Sequence, residues 1–432
     1  MQRRNFLKTS VAASTAYNLI PDHVLGANDR MRLAVMGCGN MAGGDVKCFA
    51  NNPQVEITAF CDVKADKMAE LQKRTGLKPK HQFEDYRKML ELKDLDALLN
   101  ATPDHWHAIP TIEACQRNLD VYVEKPLSHN IAEGRAMVQT ARQYDRVVQM
   151  GTQQRSGVHF QQAVDLVQSG YLGEISMVKC WNNSNKKSLG NPPDSTPPAD
   201  LNWDLWQGPA PSRPYNKNYY NNFRRFYDYA GGIITDWFTH WVDIVQWAMQ
   251  VQYPHTVAAL ADKFYTQHLN NYESPNTIEA VLHYDNFLCT YTHRRLNATG
   301  MHGKDKGIMF FGSNATMFLD RNGYTVTPEM QSTNNKQIPK SGETSFTLPP
   351  GQGIISRQNH VNNFLECMRT RQRPISDVEE GHYSTVASHL CNIAVRSGET
   401  IKYDGEKERV TNHPEANIFI SRDHRTPYVL PG

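Results

Sequence analysis

One stretch of the sequence combines a buried-type helix with side chains that could transfer protons. From Gly231 to Met249 most residues are apolar, which predicts a buried helix. Asp236, His240 and Asp243 stand there at i, i+4 and i+7, on one face of an α-helix. Buried carboxylates and an imidazole are costly unless they are paired or face a polar cavity. We therefore expect this face to line a site.

Three interpretations fit this polar face. An acid/base site is favoured, because an imidazole with a pKa of about 6.5 beside a carboxylate can remove a hydroxyl proton near neutral pH. A structural hydrogen-bond network is the second interpretation. A metal site is the third, and it is disfavoured because the sequence has no H-E-x-x-H motif or further ligand cluster. No metal is expected.

Lys125 is the other candidate for proton chemistry. It follows a short apolar run and Glu124, and it precedes Pro126. A lysine held between a buried strand and a proline has little freedom, and desolvation suits an amine to proton exchange. The alternative is a lysine that extends from the strand end into water. We predict Lys125, Asp236 and His240 as the catalytic residues.

The elements that would position these side chains begin with a glycine-rich turn. An apolar run over residues 33–36 leads into a G-x-G-x-x-A pattern between a predicted strand and a predicted helix. Its residues are Gly37, Cys38, Gly39, Asn40, Met41 and Ala42. The first glycine permits a tight turn, the second lets the backbone approach a pyrophosphate, and Ala42 allows close packing. The helix N-terminus offers unpaired N–H groups to the anion.

An acidic residue after the next predicted strand supports a dinucleotide site. Asp62 lies 62 − 42 = 20 residues past Ala42. A carboxylate there accepts hydrogen bonds from ribose hydroxyls and repels a 2′-phosphate. NAD is therefore the expected cofactor, and Lys64 nearby keeps NADP as the alternative.

The first half of the chain predicts an α/β domain with a doubly wound parallel sheet. Strands and helices alternate, with strands at 55–60, 95–101, 121–123 and 147–150 and helices at 110–117 and 131–144. Ligands bind such sheets at the carboxyl ends of the strands. Those ends carry further predicted cofactor contacts, namely Thr102, Pro103, His105, Glu124 and Lys125. A surface loop can also hold a histidine without any function.

The second half predicts an α+β domain with an open, mostly antiparallel sheet. Strand-like runs occupy 175–181, 256–264, 277–284, 288–293, 307–311 and 315–320, and helices are expected at 164–168, 359–371 and 382–396. A long connection over 184–222 is rich in Pro, Asn and aromatic residues. Aromatic faces stack on sugar rings but also anchor long loops, so both interpretations stay open.

Length, charge and cysteine usage narrow the class of protein. A chain of 432 residues exceeds the roughly 250 to 300 residues of one core, which predicts two domains. The 46 basic and 44 acidic residues give a net charge of +2 without a dense basic run, which argues against nucleic acid. The eight cysteines lack paired spacing and are expected as free, mostly buried thiols. No apolar window reaches the roughly 18 residues of a membrane span, so no membrane partner is expected.

The N-terminus differs from the rest of the chain. Residues 3–8 read RRNFLK, followed by small residues, which looks like a twin-arginine (Tat) export signal. It predicts folding in the cytoplasm and export to the periplasm, and it leaves cleavage open because the apolar region is short. A disordered basic N-terminus is the alternative. The predicted division is a signal at 1–30, a nucleotide domain at 31–152, a substrate and oligomerisation domain at 153–403 and a coil-rich tail at 404–432.

Together these motifs resemble the glucose-fructose oxidoreductase, inositol dehydrogenase and rhizopine-catabolism (Gfo/Idh/MocA) family, over residues 31 to about 403. The resemblance is carried, in order, by the turn at 37–42, Thr102 and Pro103 with His105, the Glu124-Lys125-Pro126 triplet, and Gly231 and Gly232 with Asp236, His240 and Asp243. The family's three-glycine run is here two glycines after Ala230, and the 184–222 loop is long. These departures leave the substrate more open than the reaction.

The resemblance implies an NAD(P)-dependent oxidoreductase that moves hydride between a tightly bound cofactor and a sugar, polyol or glycoside hydroxyl. Lys125 would lie beside the nicotinamide and the substrate hydroxyl, with a cis bond to Pro126. His240 would be the general base, and Asp236 would position the substrate or His240. A homo-oligomer, dimer or tetramer, is implied through the second domain. The remaining predicted substrate contacts are Arg155, Tyr229 and Asp243.

Two other functions stay open. An NAD-dependent glycosidase would oxidise a ring carbon, eliminate the glycosidic group, add water and then reduce the carbon again. A non-catalytic nucleotide-binding protein would keep the glycine turn but would have no need for the polar face of Asp236, His240 and Asp243.

Overall fold

The computed structural model describes residues 30–186, 188–265, 268–349 and 352–431. The predicted export signature at residues 3–8 lies outside this range. Within it, the chain builds two sheets of different type, one in each half of the sequence.

The first sheet has six parallel strands. They are β1 (Met31–Met36), β2 (Val55–Cys61), β3 (His81–Phe83), β4 (Ala97–Asn100), β5 (Asp120–Val123) and β6 (Val148–Met150). Their order is β3-β2-β1-β4-β5-β6. Successive strands are added outward in one direction from β1 and in the other direction from β4, and this change of order opens a crevice at the carboxyl ends of β1 and β4. The predicted doubly wound parallel sheet is confirmed.

Helices cover both faces of this sheet. They are α1 (Asn40–Ala50), α2 (Ala65–Thr75), α3 (Tyr86–Met89), α4 (Ala108–Gln116) and α5 (Ile131–Gln143). The turn between β1 and α1 requires glycine at position 37, where φ is +83° and an added Cβ would lie 2.7 Å from the oxygen of Ala101. The sequence pattern therefore reflects a close approach of backbone to backbone.

The second sheet has eleven strands among the described residues, and most neighbours are antiparallel. The predicted antiparallel sheet is confirmed, although β7 and β10 pair in parallel. The strands are β7 (Ile175–Asn185), β8 (Thr256–Asp262), β9 (Thr277–His283), β10 (Leu288–Arg294), β11 (Leu296–Asn297), β12 (Lys306–Gly312), β13 (Ala315–Asp320), β14 (Gly323–Pro328), β17 (Thr344–Thr347), β18 (Ile401–Asp404) and β19 (Arg409–Val410). A separate hairpin joins β15 (Met330–Thr333) and β16 (Lys336–Pro339).

Three helices pack in the core of the second sheet. The helices of the second half are α6 (Val158–Gln168), α7 (Trp203–Gln207), α8 (Lys217–Asn221), α9 (Thr239–Met249), α10 (Gly353–Thr370) and α11 (Val378–Ser397). Helices α6, α9 and α11 share the core of the second sheet, whereas α10 packs in a core of the first sheet and α7 belongs to a separate aromatic cluster. Residues Phe238, Trp241 and Val245 are fully buried in the largest core cluster. All eight cysteines are free and buried, as predicted. No described helix has the length and apolar character to cross a bilayer.

The prediction of one regular α-helix over Gly231–Met249 is wrong at its start. Residues Ile234–Phe238 form a π-helical turn that leads directly into α9. Its hydrogen bonds run from i to i+5, so the regular spacing of an α-helix does not hold across it. The three polar residues of this stretch are consequently not one continuous face.

The segment predicted as a coil-rich tail docks against the first half of the chain. The guanidinium of Arg422 donates to buried Glu133 at 2.7 Å and to the carbonyl of His105 at 3.0 Å. The ring of Tyr428 packs edge-on against Trp106, with centroids 5.2 Å apart. The last residues therefore support the loop that follows β4.

Candidate active site

A cleft of about 300 Å³ opens at the carboxyl ends of β1, β2 and β4. Seven of the predicted cofactor residues line it: Gly37, Gly39, Asn40, Met41, Asp62, Thr102 and Pro103. The opposite wall comes from the second half of the chain, through Leu205, Trp206, Tyr220, Phe223 and Arg224. The cleft therefore lies between the two halves.

The glycine turn fits the phosphates of a dinucleotide. A Cβ placed on Gly39 would meet no atom within 4 Å, so the backbone there faces open space. Helix α1 starts at the next residue and presents the free N–H groups of its first turn. Such a helix start attracts a pyrophosphate, and the absent side chain lets it approach closely.

Asp62 is positioned for the ribose of the cofactor. Its carboxylate accepts from the backbone N–H groups of Cys38 at 2.7 Å and Lys64 at 2.9 Å. Burial raises its pKa to about 6, although these hydrogen bonds oppose the shift. The amine of Lys64 forms an ion pair with Asp200. Lys64 was the residue that kept NADP as the alternative, and its charge is already paired within the protein. These contacts favour NAD.

Residues 200–229, here called the strap, close one side of the cleft. The N–H of Asn202 donates to the carbonyl of Val63 at 2.9 Å. The indole N–H of Trp106 donates to the carbonyl of Leu205 at 3.1 Å. Because the strap is bonded to the loops after both β2 and β4, it spans the crevice of the first sheet.

The predicted catalytic residues Lys125 and Asp236 contact each other directly. Lys125 is 8% exposed, and its Nζ donates to Asp236 Oδ1 at 2.6 Å and to the Asp236 carbonyl at 2.7 Å. The bond from Lys125 to Pro126 is cis, as the resemblance implied. Arg224 Nε lies 3.1 Å from the same carboxylate. Burial alone would raise the pKa of Asp236, but these two cations hold it well below its ordinary value.

His240 lies beside this ion pair as a neutral imidazole. It is 6% exposed, and its Nδ1 has no hydrogen-bond partner among the described residues. Burial, followed by the charges of Lys125 and Arg321, holds its pKa well below the ordinary value, against the pull of Asp236. An uncharged imidazole can accept a proton at neutral pH. Its backbone carbonyl accepts from Gln154 Nε2 at 3.1 Å.

The three remaining predicted substrate contacts lie away from the cleft, which corrects that expectation. Asp243 is fully buried and pairs with Arg155, whose Nε lies 2.9 Å from the carboxylate. Tyr229 is fully buried in an aromatic cluster. The salt bridge to Arg155 satisfies the charge of Asp243, which leaves this carboxylate engaged within the protein. These residues support the fold.

Three predicted cofactor residues lie behind the cleft wall. His105 is 1% exposed, and its Nε2 donates to the carbonyl of Trp206 at 2.9 Å, while burial lowers its pKa to about 3. Glu124 is buried next to Asp45, and burial raises its pKa. Ala42 is fully buried, where its size permits close packing. Direct cofactor contact is corrected to a supporting position for these three.

Sequence reasoning missed two cations of the site. Arg224 links the nucleotide cleft to the catalytic pair, because it lines the former and contacts Asp236 in the latter. Arg321 lies in the turn after β13, close enough to His240 for its charge to lower the pKa of the imidazole. Neither belongs to a motif, so only the folded structure reveals them. Among the described residues no group of three or more His, Cys, Asp or Glu could hold a metal ion.

A doubly wound sheet with this glycine turn, joined through Arg224 to a buried lysine–aspartate pair and a neutral histidine, is typical of the class of nucleotide-dependent oxidoreductases. The chain belongs to the Gfo/Idh/MocA oxidoreductase family. Residues 31–152 match the model described as an oxidoreductase family, NAD-binding Rossmann fold. Residues 156–278 and 335–430 match the C-terminal alpha/beta domain of the same family.

Individual relatives agree with this membership. The rhizopine catabolism protein MocA of Rhizobium meliloti is 30% identical over 152 residues, which are 35% of this chain and 47% of the relative. A glycosyl hydrolase family 109 protein of Shewanella woodyi is 28% identical over 152 residues, 34% of this chain and 32% of the relative. The chain thus spans less than half the length of either relative. Levoglucosan dehydrogenase, solved with NADH and levoglucosan, has a similar fold with a TM-score of 0.65 at 14% identity, covering 86% of this chain and 99% of that one.

The raised pKa of Asp62 predicts a pH-dependent affinity for NAD. Its carboxylate is ionised above about pH 6, and in that form it accepts more strongly from ribose hydroxyls. Between pH 7 and pH 5 the dissociation constant of NAD should rise about tenfold. Calorimetric titration of nucleotide-free protein measures it.

The Asp62→Asn variant should bind NAD more weakly and lose this pH dependence, whereas Asp66→Asn, at an exposed neighbouring acid, should keep it. An affinity of the unmodified protein that stays constant from pH 7 to pH 5 would contradict the role of Asp62.

Proposed function

We propose that this protein transfers hydride between NAD and the carbon of a sugar, polyol or glycoside hydroxyl. The observation that carries the proposal is the contact of Lys125 with Asp236 beside neutral His240, which Arg224 connects to the nucleotide cleft. The similarity to a rhizopine catabolism protein and to the fold of levoglucosan dehydrogenase supports this substrate class.

In the proposed reaction this chain supplies proton transfer and orientation. When bound, NAD supplies the hydride acceptor. Neutral His240 takes the proton of the substrate hydroxyl. The Lys125 ammonium has three donors and uses two of them on Asp236, which leaves the third for the substrate oxygen. Lys125 and Arg224 hold the pKa of Asp236 well below its ordinary value, so its carboxylate is a weak base and leaves the substrate proton to His240.

The cofactor is proposed to stay bound through many turnovers. The strap is bonded on both sides of the crevice and carries one wall of the cleft. A nucleotide that never leaves must be oxidised and reduced in place. The reaction therefore needs either a second substrate or a sequence with no net redox change.

A glycosidase whose reaction has no net redox change is the alternative function. The similarity to a glycosyl hydrolase family 109 protein favours it. Oxidation of a ring carbon acidifies the neighbouring C–H, which permits elimination of the glycosidic group, hydration and re-reduction. A purely nucleotide-binding protein is disfavoured, because binding alone gives no reason to bury Lys125 against Asp236.

The catalytic assignment predicts a separation of binding from turnover. Lys125→Met and His240→Gln should each lower turnover at least about 100-fold and leave the bound NAD content unchanged. The exposed substitutions Lys402→Met and His255→Gln are the matched controls. Released cofactor is identified after denaturation, and sugars and glycosides are screened for absorbance of reduced nicotinamide and for glycoside cleavage.

Turnover of Lys125→Met within tenfold of the unmodified protein would refute the role of the lysine. Cleavage of glycosides without accumulation of NADH would select the glycosidase.

Export of the folded protein to the periplasm by the Tat route is part of the proposal. It rests on the RRNFLK signature at residues 3–8. In a host with this pathway, the unmodified protein should be found in the periplasmic fraction, and the double variant Arg3→Lys, Arg4→Lys should stay in the cytoplasm. An unmodified protein confined to the cytoplasm would refute export.

A homo-oligomer is proposed to form through the open face of the second sheet. Leu260, Val281 and Leu288 are exposed on neighbouring strands β8, β9 and β10. Exposed apolar side chains on one sheet face favour association. Light scattering should give a mass of two or four chains, and Leu260→Arg should lower it, while Leu269→Arg, outside the strands, should not. A monomeric unmodified protein would contradict this assembly.

A further inference from the structure

Arg321 is a cation next to the catalytic histidine to which the proposed reaction gives no role. It stands in the turn between β13 and β14, and its Nε donates to Gln154 Oε1 at 3.0 Å. The amide nitrogen of the same Gln154 donates to the carbonyl of His240 at 3.1 Å. One side chain therefore fixes the positions of both Arg321 and His240.

The flat face of the Arg321 guanidinium also lies over two aromatic rings. Its central carbon lies 4.9 Å from the ring centroid of Trp237 and 6.0 Å from that of Trp241. Stacking and the Nε bond together fix the plane of the group. Within the described parts of the chain, its two terminal nitrogens have no hydrogen-bond acceptor. These nitrogens form a planar fork that matches the two oxygens of a carboxylate.

Neighbouring cations of the site have acidic partners, and Arg321 differs from them. Arg224 contacts Asp236 at 3.1 Å, and Arg357 lies 3.4 Å from Asp45. No carboxylate oxygen of the described residues lies within ion-pair distance of the Arg321 guanidinium. Burial and the charge of Arg357 lower its pKa. A cation desolvated in this way is stabilised when an anion joins it.

We propose that Arg321 binds a carboxylate of the substrate, so that sugar acids are the preferred substrates of this site. The inference rests on the proposed function, because it adds a second contact to the molecule whose hydroxyl His240 deprotonates. Gln154 holds both residues, which places the reacting hydroxyl and the carboxylate within one small molecule. An uncharged sugar leaves the fork of Arg321 without an anion.

Matched pairs of sugars test this preference. Reduction of the bound cofactor is followed with glucose against glucuronate and galactose against galacturonate, and glucose 6-phosphate is included as a different anion. The acids should reduce the bound cofactor with second-order rate constants at least about 30-fold above those of the neutral partners. Equal values for acid and neutral sugar would overturn the proposal, and so would a preference for the phosphate over both uronates.

Variants separate the role of Arg321 from a role in folding. Arg321→Met should lower the values for the acids at least about tenfold more than those for the neutral sugars, and Arg321→Lys should keep part of the preference. Arg373→Met, at an exposed arginine, is the control. The melting temperature and the NAD content of each variant report folding. An equal loss for acid and neutral sugars in a folded Arg321→Met protein would overturn the proposal.

A binding measurement separates this inference from the proposed function. Calorimetry with the cofactor-loaded protein should detect glucuronate, and Arg321→Met should weaken its binding at least about tenfold. Binding that depends on Arg321 without any turnover would refute the hydride transfer and keep the carboxylate site. Turnover of neutral sugars alone, without binding of either uronate, would refute the carboxylate site and keep the hydride transfer.

Discussion

The contact between Lys125 and Asp236 joins the two halves of the chain at the point where chemistry is proposed. The lysine comes from the end of a parallel strand, and the acid comes from a π-turn before a buried helix. Removing one partner of such a buried pair costs roughly 3 to 5 kcal/mol, because the other charge stays desolvated. The ionised carboxylate and the place of Arg224 follow from this pair, whereas burial, followed by the charge of Lys125, keeps His240 neutral.

Local sequence patterns predicted those parts of the protein that depend on local geometry. The glycine turn, Asp62 and the strand end before Lys125 are each set by a few consecutive residues and one repeating βα unit. The same reasoning failed for Asp243, because its partner Arg155 lies 88 residues away and no pattern records such a pair. The π-turn was missed because the sequence around Asp236 has the periodicity of an ordinary helix.

Residues of the motifs differ in whether they line the cleft or are buried behind its wall. Asp62 and Thr102 line the nucleotide cleft, whereas His105 sits behind it and donates to the strap. A sequence motif does not show this difference, because it records residue types and not their exposure. Burial and hydrogen-bond partners separate the two groups, and they also bring forward Arg224 and Arg321 from outside any motif.

Docking of the C-terminal segment affects the order in which parts of the protein can fold during synthesis. A chain emerges from the ribosome with its N-terminal end first, so the parallel sheet can form early. The loop after β4, however, takes one of its supports from Arg422, which lies 317 residues after the carbonyl of His105 that it contacts. The nucleotide cleft therefore reaches its final shape only after residue 422 has been synthesised, long after the strands of the parallel sheet.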